Sequence, residues 1–207
     1  MATQTVNATR MELLSLRRRV GLAARGHKLL SQKRDEISRR LILISKTLGS
    51  LRTEVEKELI ETSRRFVMAR ATMEPESIKS AMEVPTKKFS LAINFAVIMN
   101  VRVPQFTKEI EGEIISYGYS NTSGELDVAL KGLEKVFDRL IELAEKEKQA
   151  QLLADELQKT RRRVNVLEHV VIPELQQMIR FIYDKLAEAE RDNISRLMKI
   201  AEMIRSA

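Results

Sequence analysis

The feature that most limits the fold of this 207-residue chain is a heptad repeat near its N-terminus. Alternating steps of three and four residues from Leu13 to Val55 meet thirteen positions, of which eleven are apolar. Apolar spacing of this period is typical of a helix that pairs with another helix in a left-handed supercoil. We expect such a helix over residues 9–71, capped by Asn7 or Thr9, and a partner helix elsewhere in the chain.

A partner helix is predicted near the C-terminus, where the segment "NTSGELDVAL" offers Thr122 or Ser123 as an N-cap. The following apolar stripe again alternates steps of four and three. From Val171 to Ile204 it recurs every eleven residues, which predicts a less supercoiled path. Pro173 lies within this stripe, so we expect it to bend the helix; the alternative is that it starts a new one.

Between the two long helices the pattern of apolar residues changes. Residues 75–82 predict a short helix, and apolar side chains then alternate along "FSLAINFAVIMNVRV". Period two predicts extended structure, and Asn100 tolerates the left-handed conformation of a tight turn, so we expect a β-hairpin within residues 84–118. Its apolar residues share one parity and are expected to rest on the helices or on a partner: Phe89, Leu91, Ile93, Phe95, Val97, Met99, Val101 and Val103.

Composition agrees with a helical pair rather than a globular α/β core. Aromatic residues make up only 4% of the chain and charged residues 31%, which favours long helices. We predict an all-α-dominated fold, a long antiparallel two-helix coiled coil with a small central β-hairpin and a short helix. Its segments are residues 1–72, 73–122 and 123–207, which form a single elongated domain.

Positive charge is concentrated at the N-terminal end. Residues 1–53 hold twelve Lys and Arg against three Asp and Glu, although the whole chain carries only +7. Antiparallel pairing is expected to bring the arginines at 161–163 close to Arg39, Arg40 and Lys46. Such a cluster is either a solvated face or a docking face for an acidic protein. Nucleic acid would also be attracted, but no aromatic stacking platform accompanies the charge. The predicted partner contacts are Arg17, Arg18, Arg25, Lys33, Arg34, Arg39, Arg40, Arg161, Arg162 and Arg163.

No chemistry of its own is predicted for the chain. "GLAARGHK" superficially resembles a phosphate loop, but no strand precedes it, and we expect its two glycines to allow another backbone to approach closely. His27 and His169 are the only histidines and cysteine is absent, so we expect no metal, no cofactor and no catalytic site. The longest run of aliphatic or aromatic side chains is about five residues, against the roughly 20 needed to span a bilayer, so no membrane insertion is expected.

Two terminal segments resemble a known family. "TRRRVNVLEHVVIPELQQMIRFI" at 160–182 and "LRRRVGLAARGHKLLSQKRDEI" at 16–37 are similar to the signatures of the D subunit of the V-type and archaeal A-type ATPases. "VIMNVRVP" at 97–104 resembles the family's hairpin, although a glycine is usual where Asn100 stands. Ala8 also departs from the family, which commonly has a proline there.

This resemblance implies a non-catalytic rotor shaft in the central stalk of a rotary ATPase. The implied partners are the catalytic A and B subunits of the head, the small F subunit of the stalk and the subunit that caps the membrane ring. The implied location is peripheral, on the cytoplasmic side of a membrane, with H⁺ or Na⁺ moved by the complex. Two alternatives stay open on sequence alone, a prefoldin-like coiled-coil chaperone and a basic nucleic-acid-binding coiled coil.

Overall fold

The fold was analysed in a computed structural model, which describes residues 7–83, 86–118 and 122–206. It consists of long helices, one short helix and one two-stranded antiparallel sheet, which confirms the predicted fold class. In chain order the elements are α1 (Arg10–Thr72), α2 (Pro75–Glu83), β1 (Lys88–Ile98), β2 (Val101–Glu111), α3 (Gly124–Val166), a π-helical turn (Leu167–Val171) and α4 (Ile172–Ser206). Residues 84, 85 and 119–121 of the predicted middle segment lie outside the described ranges.

The chain divides into two compact units. We call residues 1–35 with 158–207 the terminal unit, and residues 36–157 the central unit. Each unit contains helix from both ends of the chain, since α1 contributes to both and so does α3.

Both long helices begin at the capping residues that the sequence offers. The backbone N–H of Glu12 donates to Thr9 Oγ1 at 3.2 Å, and the backbone N–H of Glu125 donates to Ser123 Oγ at 3.2 Å. These bonds satisfy donors that a helix N-terminus would otherwise leave unpaired. Thr9 and Ser123 are therefore the caps. All thirteen heptad positions between Leu13 and Val55 are buried or half-buried, as expected of a helix-pairing seam.

The core of the terminal unit lies between α1 and α4. Leu13 and Leu16 pack with the fully buried Ile182, and partly buried apolar side chains of α4 surround them. Arg10 pairs with Glu190 at 2.6 Å and His27 contacts Glu168 at 3.4 Å. Residue numbers therefore rise along α1 as they fall along the opposing helix, which makes the pair antiparallel.

The helix passes through Pro173 without a loop. The π-helical turn Leu167–Val171 directly precedes α4, and the backbone N–H of Ile172 bonds to the carbonyl of Leu167, five residues earlier. A proline in a regular α-helix clashes with the carbonyl four residues before it and cannot donate to it. The wider π turn shifts the preceding carbonyls, which explains how Pro173 is accommodated in the first turn of α4. A bend at this point stays a prediction.

The core of the central unit is formed by Ile37, Leu153 and Leu157. The tip of the hairpin packs against this cluster through Ile98, Met99 and Val101. Further along, Arg139 of α3 pairs with Glu58 of α1 at 2.7 Å, which again requires antiparallel helices.

No described residue of the chain makes the close backbone approach that was predicted at Gly21 and Gly26. A Cβ added at Gly21 or Gly26 would meet nothing within 4 Å in the described chain. At Gly132 of α3 it would lie 3.0 Å from Thr62 Oγ1 of α1. Among the described glycines, the tight contacts are therefore at Gly132, against a side chain of α1, and at Gly112, where an added Cβ would lie 2.5 Å from the backbone oxygen of Thr86.

The hairpin has the predicted strands, but its apolar residues do not form the single predicted face. Phe95 pairs with Pro104 and Val97 with Arg102, so odd residues of β1 share a face with even residues of β2. The two-residue turn at Met99 and Asn100 causes this switch, because it places odd residues of the two strands on opposite faces. Val101 and the fully buried Val103 therefore lie on the face opposite Phe89, Leu91, Ile93, Phe95 and Val97.

Candidate partner-binding surfaces

The arginines at 161–163 form one exposed basic group on α3. All three side chains are exposed, and within the described ranges none of them takes part in an ion pair. Their neighbours Thr160 and Val164 are almost completely buried. The group is therefore held on a fixed helix face and points its charge to the outside.

The expected register of this group is wrong within the terminal unit, whereas its closeness to Arg39, Arg40 and Lys46, which belong to the central unit, stays a prediction. Because residue 168 lies opposite residue 27, the stretch 161–163 falls at the level of roughly residues 32–34 on the antiparallel partner. In the central unit, Ile37 packs with Leu153 and Leu157, which fixes a similar offset. The register differs from the expected one by roughly ten residues.

The other predicted contact residues, all on α1, fall into three groups. Arg17, Arg18 and Arg25 on α1 are exposed, and Arg25 Nε donates to the carbonyl of Gly21 at 3.3 Å. The remaining arginines are compensated within their own helix, Arg34 by Asp35 at 2.8 Å and both Arg39 and Arg40 by Glu36. Lys33 is half-buried.

A second surface, which the sequence did not predict, lies at the end of α4. Every described side chain from residue 188 to residue 205 is exposed, because α1 begins opposite Glu190 and no described residue covers the helix beyond it. The large apolar residues on one side of this segment, which we call the C-terminal ridge, are Ile194, Leu197, Met198, Ile200 and Ile204. Their helical spacing was visible in the sequence, but the spacing alone did not reveal that they lack a cover.

Charge just before the ridge is set by local ion pairs. Lys185 Nζ donates to Glu188 Oε2 at 2.9 Å. This hydrogen bond lowers the pKa of Glu188 and raises the pKa of Lys185 from their ordinary values, with their Coulombic attraction as the second cause. Both groups are exposed, so solvent screens the pair.

A third surface is an apolar patch on α1 of the central unit. Leu59, Ile60, Val67 and Met68 are exposed side by side around Arg64. None of them belongs to the heptad seam, and that position off the seam is the sequence signal that could have identified the patch.

The hairpin contacts α3 through one strand more than the other. The backbone N–H of Phe106 in β2 donates to Glu145 at 2.9 Å, and Lys108 pairs with Asp138 at 2.7 Å. From β1, Phe89 makes an edge-to-face contact with Phe137 of α3, with ring centroids 4.9 Å apart. Phe95 and Val97 are 69% and 67% exposed.

Nothing in the described ranges has the geometry of a membrane span or a metal site. No described helix combines the length and apolar character needed to cross a bilayer. In residues 7–83, 86–118 and 122–206, no three His, Asp or Glu side chains gather as metal ligands. The surfaces defined above suit contacts with other proteins.

Comparison with known proteins identifies the family. The family model that describes the D subunit of ATP synthase matches residues 12–202. This chain belongs to the ATP synthase D-subunit family. The family match includes residues of all seven elements in the described ranges, with both helix pairs and the hairpin.

Individual members of the ATP synthase D-subunit family are similar over nearly their whole length. A V-type ATP synthase D subunit from Clostridium novyi (strain NT) is 48% identical over 99% of this chain and 97% of its own length. One from Clostridium botulinum (strain Langeland) is 48% identical over 96% of this chain and 94% of its own. One from Acetivibrio thermocellus is 45% identical over 99% and 94%.

Proposed function

We propose that the chain is the central-stalk rotor subunit of a V-type or A-type rotary ATPase. In this role it contributes no catalytic group. It couples ATP hydrolysis or synthesis in a head of A and B subunits to the movement of H⁺ or Na⁺ through a membrane ring. The proposal extends to this chain the name of its relatives, the D subunit of V-type ATP synthase. It places the protein on the cytoplasmic side of a membrane as a peripheral subunit.

The C-terminal ridge is the observation that carries the proposal. In the terminal unit, α4 continues past the start of α1 as an amphipathic helix whose apolar side has no cover among the described residues. Isolated exposed apolar side chains are ordinary, but a helical stripe of them is typical of a surface that another protein covers. A surrounding head could hold such a helix end while the stalk turns.

The basic groups support the terminal unit as the unit that binds the head. Arg17 and Arg18 lie in the terminal unit with Arg161–Arg163, and none of them is neutralised by a described carboxylate. Positive charge of this kind guides and orients an acidic partner, with an effect that weakens as salt is added. An asymmetric shaft can favour different states of the catalytic sites by unequal contacts with them.

The central unit offers surfaces for the stalk partners. The exposed patch of Leu59, Ile60, Val67 and Met68 suits an apolar helix face, and we assign it to the small F subunit of the stalk. The ring-capping subunit is expected to bind the same unit. We retain neither the chaperone nor the nucleic-acid alternative, since the family match covers residues 12–202.

The test co-expresses the chain with the other ATPase subunits and purifies the complex through a tag on a head subunit. Leu197→Ser combined with Met198→Ser removes the centre of the ridge without touching the core of the terminal unit. We expect this variant to co-purify less well, or to give ATP hydrolysis with reduced ion uptake into vesicles. Lys199→Ser is the matched control, because residue 199 lies on the opposite side of the same helix turn.

Two results would contradict these assignments separately. If the unmodified chain does not co-purify with the head, the rotor function is wrong. If the serine variant assembles and transports ions as well as the Lys199→Ser control, the ridge is not the head-binding surface.

A further inference from the structure

The two edges of the β-hairpin are treated differently by the rest of the central unit. Along β2, the backbone N–H of Phe106 donates to Glu145 of α3, and the carbonyl of Pro104 accepts from Gln149 Nε2 at 3.4 Å. Pro104 itself has no N–H to leave unpaired. The outer edge of β2 is thus covered by α3 side chains and by a proline, two common ways of protecting a sheet edge.

The outer edge of β1 has no such cover. Every residue from Lys88 to Phe95 is exposed, and in the described part of the chain no element other than β2 exchanges a hydrogen bond with the backbone of this strand. The strand is eleven residues long and contains no proline. Long, flat, apolar edge strands invite pairing with another strand, and proteins usually block them with charge, proline or a bulge. Only Lys88, at one end, offers such protection here.

Strand geometry shows which backbone groups are available. The hairpin closes through a two-residue turn at Met99 and Asn100, both with positive φ (52° and 67°), so Ile98 and Val101 are the first hydrogen-bonded pair. Hydrogen-bonded and non-hydrogen-bonded pairs alternate along an antiparallel ladder, so the even residues of β1 bond to β2. The N–H and C=O groups of the odd residues of β1 therefore point away from β2. Phe106 of β2 confirms this assignment. It lies opposite Ile93 in a non-hydrogen-bonded pair, and its backbone N–H points away from β1 to Glu145.

The same odd residues carry the exposed apolar side chains. Phe89 and Leu91 are 38% and 40% exposed, whereas Phe95 and Val97 near the hairpin tip are 69% and 67% exposed. A strand added at this edge would pair with the N–H and C=O groups of these residues, and its own alternate side chains would extend the apolar face.

Charge identifies the kind of strand that fits. Lys88 stands at the base of the edge and Arg102 lies beside Val97 near the tip, and neither has an ion-pair partner among the described residues. A second copy of the chain, paired antiparallel about Ile93, would bring Lys88 of one copy close to Arg102 of the other. Two positive charges would then meet at each end, which disfavours a second copy as the partner. A strand with acidic residues at its ends would neutralise both.

We propose that β1 is a strand-addition site for another subunit of the same ATPase. The partner supplies an extended segment that is apolar at alternate positions and acidic at its ends. The inference rests on the proposed function, because the partner is sought within that assembly. An uncovered edge would be an aggregation liability in a free chain, which favours a partner present in the assembled enzyme.

The test is residue-resolved amide hydrogen exchange of the full chain, alone and in the ATPase complex purified through a head subunit. In the isolated chain the even amides of β1 are protected by β2 and the odd amides exchange freely. Assembly is expected to slow the odd amides, from Leu91 to Phe95, by at least about tenfold, since each gains a hydrogen-bond partner. The even amides change little and report that the hairpin is intact.

Two substitutions at one position sharpen the test. Ile93→Pro removes an outward N–H while leaving the pairing with β2 in place, and edge positions tolerate proline. Ile93→Ala removes most of the side chain but keeps the N–H. We expect Ile93→Pro to lose the protection of Leu91 and Phe95 on assembly and Ile93→Ala to keep it, with even amides protected in both variants.

Each remaining outcome has a distinct meaning. A wild-type chain that fails to co-purify contradicts the proposed function. A chain that assembles with freely exchanging odd amides overturns the strand-addition site. Odd amides already protected in the isolated chain, in a concentration-dependent way, would also overturn it, because they would show that the edge pairs with a second copy.

Discussion

The contact between Gly132 and Thr62 gives a sharp test of how α1 and α3 pack in the central unit. A methyl group at residue 132 would lie 3.0 Å from Thr62 Oγ1 and 3.4 Å from Thr62 Cγ2. Thr62 is buried, so its side chain has little room to move away. Gly132→Ala therefore sets two effects against each other, the better helix propensity of alanine and overpacking at the helix interface.

The expected magnitudes decide the sign. Replacing glycine by alanine within a helix gains roughly 1 kcal/mol when the methyl group is unobstructed. Forcing a methyl group into a packed interface costs about 1–3 kcal/mol. We expect Gly132→Ala to be neutral or to destabilise by up to about 2 kcal/mol. At Gly49, in the same unit, an added Cβ meets nothing within 4 Å, so Gly49→Ala should stabilise by roughly 1 kcal/mol.

The assay is urea unfolding of the isolated chain followed by circular dichroism, comparing transition midpoints of both variants with wild type. A double-mutant cycle with Thr62→Ala isolates the contact, because the shorter side chain should restore the benefit of alanine at residue 132. The reasoning is refuted if Gly132→Ala stabilises as much as Gly49→Ala, or if Thr62→Ala does not change the effect of the Gly132 substitution.

Three single features of the structure give further predictions. Leu153→Ala empties a fully buried position and should lower the free energy of unfolding by about 2–5 kcal/mol in a urea titration; a loss below about 1 kcal/mol would contradict the central core. Asn100→Gly should raise the melting temperature slightly by relieving a residue at φ 67°, and a fall would show that the asparagine side chain stabilises the turn. Reversing Arg161–Arg163 to Glu should weaken binding to the purified head by at least about tenfold at low salt. Reversing Arg39 and Arg40, which Glu36 already compensates, serves as the control; equal losses would remove the special role of residues 161–163.

The helices and their ends were predictable because they depend on local chemistry. Thr9 and Ser123 cap helices by bonding to N–H groups two or three residues away, and the sequence shows both partners of such a bond. The heptad seam is equally local, since a period of 3.5 residues specifies which side of α1 faces its partner. Even the polar seam residues His27 and Arg34 are half-buried as this period requires.

The register between the helices was not predictable in the same way. A repeating apolar seam matches its partner almost equally well after a slide of a whole number of heptads, so the pattern alone leaves the offset open. Contacts such as His27 with Glu168 in the terminal unit and Arg139 with Glu58 in the central unit mark the register that each unit adopts. The hairpin faces were missed for a related reason, since the number of residues in the turn decides how the parities of the two strands combine.

The end of α4 shows why a surface of this kind cannot be recognised from its pattern alone. Ile182 and Ile204 belong to the same eleven-residue repeat, yet Ile182 is completely buried and Ile204 is 72% exposed. The difference arises because α1 begins at Arg10, opposite Glu190, and the repeat continues beyond that point. Fully burying one exposed large apolar side chain contributes roughly 1.5–3 kcal/mol, and the exposed fractions of the five ridge side chains add up to about three whole ones, so a partner that covers the C-terminal ridge gains roughly 4–9 kcal/mol before ordering costs. The isolated chain does not obtain this free energy, because it is released only when another protein covers the end of the helix.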